Sequence, residues 1–62
     1  MPLVELARLP DRVQASLVQT VLANAGIESF MFDRETVLYG PARIMVLDED
    51  EAEARRLLGA IP

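Results

Sequence analysis

The sequence predicts one small α+β domain of order β-α-β-β-α, a three-stranded antiparallel sheet with two helices on one face. Three observations lead to that reading. At 62 residues the chain has room for a single core. Two segments carry apolar residues at helical spacing, each introduced by an acid suited to cap a helix. Between and before them lie three short runs rich in apolar and strand-forming residues.

Leu3 to Leu9 reads as the first strand, with Val4 and Leu6 on one face and Glu5 and Ala7 on the other. Pro10 ends it. Asp11 is a good N-cap, and Gln14, three residues on, completes a capping-box pattern. Arg12 to Ala25 then forms a helix whose stripe is Leu17, Val18, Val21, Leu22 and Ala25. Gly26 stands where a left-handed residue is wanted, and Ile27 can fold back on the last turn.

Glu28 to Asp33 is the second strand, Arg34 to Ala42 a loop closed by Gly40-Pro41, and Arg43 to Leu47 the third strand. The last helix is expected to start from Asp48 as N-cap, with Glu51 at the capping-box position. Glu49 and Asp50 suit its positive first turn, Arg55 and Arg56 its negative end. Ala54, Leu57, Leu58 and Ile61 make its stripe, and Gly59 and Pro62 mark its stop. The order is that of a ferredoxin-like half-sandwich lacking its last strand, so the first strand is an open edge.

Composition narrows function. There is no Cys, His or Lys, and six Arg stand against ten carboxylates for a net charge of −4. Disulfides and thiolate sites are excluded, and the commonest metal ligand and general base are missing. An acidic surface without a basic stripe argues against nucleic acid. No apolar run approaches the ~20 residues of a membrane span. The start, Met1 to Glu5, has no basic region before an apolar one, so no signal peptide is expected and cytoplasmic residence is the default.

One resemblance covers nearly the whole chain. It is carried by Leu22-Ala23-Asn24-Ala25-Gly26-Ile27, and by Arg43-Ile44-Met45-Val46-Leu47-Asp48-Glu49-Asp50 running into Ala54-Arg55-Arg56-Leu57-Leu58. These segments are similar to the family of putative prokaryotic signal-transducing proteins, a bacterial domain of unknown function. The resemblance implies a PII-like fold and a role in signalling. It supplies no site residues.

Candidate chemistry is sparse. The run Asp48-Glu49-Asp50-Glu51, with Glu53, could attract a divalent ion, but it lacks a glycine turn and is accounted for as a helix start. No metal and no cofactor are expected. The hydroxyls and carboxylates have no His, Cys or Lys to activate a nucleophile, so no catalytic residue is assigned and the chain is not expected to be an enzyme. Arg34, Tyr39 and Arg43 form a polar cluster that could clamp a carboxylate or phosphate, though such Arg are more often solvated or paired.

The strands carry more weight. Each has apolar residues in both alternating phases, whereas a half-solvated sheet alternates apolar with polar. Val4, Leu6, Phe30, Phe32, Ile44 and Val46 are expected to face the helices. The other face then presents Leu3, Ala7, Met31, Met45 and Leu47, with Glu5 and Ser29 among them. Leu3, Met31, Met45 and Leu47 are the candidate interface residues, for a homodimer or another protein partner. Edge-to-edge pairing of the first strand is a second expected route. The reading is a small regulatory or interaction module; the alternative is a small-ligand sensor using the Arg43 and Tyr39 loop.

Overall fold

The computed structural model describes residues 2–33 and 41–59. Its elements are β1 (Leu3–Leu9), α1 (Arg12–Asn24), β2 (Ser29–Asp33), β3 (Ala42–Leu47), a 3-10 turn (Asp48–Asp50) and α2 (Glu51–Gly59). The strands form one antiparallel sheet of order β1-β3-β2, as a ferredoxin-like half-sandwich requires. The expected class and element order are therefore found. Ile61 and the chain stop at Pro62 lie outside the described residues.

Central β3 sets the faces. Ala42, Ile44 and Val46 are wholly buried and alternate with Arg43, Met45 and Leu47, which are not. The buried set joins Leu6, Ala15, Leu22, Ile27 and Ala54 in a core to which β1, β3 and both helices contribute. Both helices thus pack on the same side of the sheet.

The register corrects the expected phase of β2. Met31 lies opposite Ile44, while Phe30 and Phe32 lie opposite Met45 and Arg43. Residues paired across a ladder share a face, so Met31 turns toward the helices and both Phe turn away. Met31 packs against the core, whereas Phe32 is 42% exposed. Side-chain bulk alone favours the aromatics for the interior. Backbone pairing with β3 decides instead, and a flexible thioether fills the small space left under two short helices.

A second correction falls on β1. Its register with β3 shifts between Glu5 and Ala7, so Leu6 is an extra residue in the ladder. Ala7 consequently stands opposite Ile44, on the helix side rather than the open side, and Leu9 stands opposite Ala42. Leu6 itself remains buried.

α1 begins as expected. Asp11 is extended and its carboxylate accepts the Gln14 amide at 2.8 Å. Its end is a Schellman motif: Ile27 N–H donates to Leu22 O at 2.9 Å and Gly26 N–H to Ala23 O at 3.0 Å. Gly26 supplies the positive φ of 81° that the motif requires. The expected stripe, however, is rotated. Ala15 and Leu22 are fully buried and Val18 packs beside them, but Leu17 is 63% exposed and Ala25 is also exposed. Small Ala15 lets the helix settle close onto the sheet, and that approach fixes which arc is covered.

The start of α2 also differs. Asp48 N–H donates to Pro2 O at 3.0 Å, continuing the contact between the β1 and β3 ends. The Glu51 amide, which an Asp48 cap would have engaged, donates to the Asp48 main-chain carbonyl through a 3-10 turn. Asp48 is therefore not a side-chain N-cap.

Two predictions follow from these corrections, both read by urea denaturation. Leu22→Ala should cost about 3 kcal/mol, as a fully buried leucine does, and Leu17→Ala no more than about 0.5 kcal/mol. Equal losses would contradict the rotation of α1. Asp11→Ala should cost about 1 kcal/mol and Asp48→Ala less than about 0.5 kcal/mol, and the reverse order would restore Asp48 as a cap.

Candidate functional site

Two helices cover one face of the sheet, and the other face has no covering element among the described residues. Cross-strand pairing arranges it in three rows. Leu3 pairs with Leu47; Glu5, Met45 and Phe30 form the middle row; Arg8, Arg43 and Phe32 form the last. Five of these eight side chains are apolar. Leu3 is 37% exposed, and Met45, Leu47 and Phe30 are half-buried by their neighbours. Of the candidate interface residues, Leu3, Met45 and Leu47 come together on this face. Met31 does not, for the reason of register given above.

The charged members differ in their partners. Glu5 and Arg8 form an ion pair at 3.0 Å along β1. Arg43 is exposed and directly opposite Arg8, and makes no hydrogen bond or ion pair among the described residues. Two like charges facing each other across a ladder are unfavourable.

The free edge of β1 is managed by its bulge and by α2. Arg55 Nη1 donates to Leu6 O at 3.4 Å and Nη2 to Glu5 O at 3.3 Å, at the register shift. Glu51 holds the guanidinium from the other side, accepting from Nε at 3.0 Å and Nη2 at 2.8 Å. A bulged edge with two of its carbonyls already engaged is a poorer template for another strand. This argues against the edge-to-edge route. From sequence alone Arg55 is a countercharge to the helix dipole. The one available signal was the three-residue gap between Leu6 and Leu9, which a regular strand cannot place on one face.

The family described as putative prokaryotic signal transducing protein matches residues 3–61. The chain belongs to it. No curated protein and no solved structure matches the chain. For this signal-transducing family member, the description names a role in signalling and not a reaction, and it assigns no residues.

The remaining candidates are less developed. Arg34 and Tyr39 lie outside the described residues, which leaves Arg43 alone of the proposed ligand cluster. Among the described residues no group of three or more Asp or Glu side chains is placed to share a metal ion. Glu51 is engaged with Arg55, and Glu53 with Arg56. The Arg56 hydrogen bond holds the Glu53 carboxyl below its ordinary range, but both groups are fully exposed and solvent screens the pair. A second apolar area lies on α1, where Leu9, Leu17, Val18 and Val21 with Gln14 line an open hollow of about 230 Å³. No helix among the described residues is long and apolar enough to cross a membrane.

Arg55→Met, which keeps an apolar stem and removes the donors, should lower stability by about 1 kcal/mol. Arg56→Met should cost measurably less, since its partner is on the open surface. Thermal denaturation of the two variants compares them, and a larger loss for Arg56→Met would contradict the role given to the bulge contact.

Proposed function

We propose that this member of the signal-transducing family is a non-catalytic regulatory module of the bacterial cytoplasm, self-associating through the open face of its sheet. The observation that carries the reading is the apolar content of that face: Leu3, Phe30, Phe32, Met45 and Leu47 together on the side away from both helices. Contiguous exposed apolar surface marks interaction sites, while a sheet face meant for water alternates to polar.

Size supports the same reading. A chain of 62 residues without cysteine has no covalent staple, and association adds burial that its single core cannot supply. Self-complementary patches most often give two-fold dimers. Met45, at the centre of the face, has the adaptable side chain common on such surfaces. The rival reading, a carboxylate or phosphate sensor, has in its favour the exposed Arg43, which makes no hydrogen bond or ion pair among the described residues. A ligand bound by the folded state would raise the melting temperature in a screen of organic acids and nucleotides.

Sedimentation equilibrium tests the proposal directly. The wild type should be a dimer, Met45→Glu a monomer with unchanged circular dichroism, and Leu17→Glu still a dimer. A dimer broken by Leu17→Glu and indifferent to Met45→Glu would move the interface to α1. A wild type monomeric at millimolar concentration would defeat self-association.

A further inference from the structure

We draw no further inference here: the strongest candidate, the open apolar hollow that Leu9, Gln14, Leu17, Val18 and Val21 line on α1, carries none because nothing in the structure shows what covers it.

Discussion

Among the described residues β3 alone has a strand on each side, and its side-chain alternation passes through the ladder to the rest of the sheet. Ala42, Ile44 and Val46 commit one face to the interior. Hydrogen bonding then leaves β1 and β2 no choice of phase, because a slip of one residue would turn every side chain over. Met31 follows Ile44 inward and the two Phe follow Met45 and Arg43 outward, although burying the rings would remove more apolar area from water. The fold thus turns both Phe rings away from the helices. Two short helices can cover only one side of three strands, and that shortage of cover is what makes the opposite side a candidate for contact.

The same constraint shapes the edges. β1 takes an extra residue at Leu6, which keeps that leucine buried while Ala7 and Leu9 re-enter the ladder on the helix side. The bulge leaves carbonyls out of step with β3, and Arg55 reaches from α2 to bond them. One side chain thereby ties the last helix to the first strand and occupies acceptors that another chain could have used. A bulged edge with two of its carbonyls engaged is a poorer template for a further strand than a regular one. Among the described residues no element covers the open face.

Features written locally in the sequence were legible. The Asp11 cap, the Schellman end at Gly26 and Ile27, and the alternation of β3 each depend on residues close in the chain. What was not legible depended on partners far away. The phase of β2 is fixed by register with β3, and three adjacent apolar residues, Phe30, Met31 and Phe32, fit either phase equally well. The face of α1 is fixed by how closely Ala15 lets it approach, a small residue that a search for bulk passes over. Asp48 has the composition of a cap, but its amide is drawn to Pro2 and the turn tightens before its carboxylate can act. Three of the four candidate interface residues nevertheless share the open face, because Leu3, Met45 and Leu47 lie on strands whose phase there was read from β3 and the start of β1.

The two described methionines on the strands provide the most direct probe, because they lie one ladder step apart on adjacent strands yet on opposite faces. Samples mixing methyl-labelled and unlabelled copies allow intermolecular nuclear Overhauser contacts to be separated from internal ones. The account requires the Met45 methyl to show contacts to Met45 or Phe30 of a second copy, and the Met31 methyl to show internal contacts alone. Intermolecular contacts arising from Val13 and Leu17 of α1, with none from Met45, would contradict it.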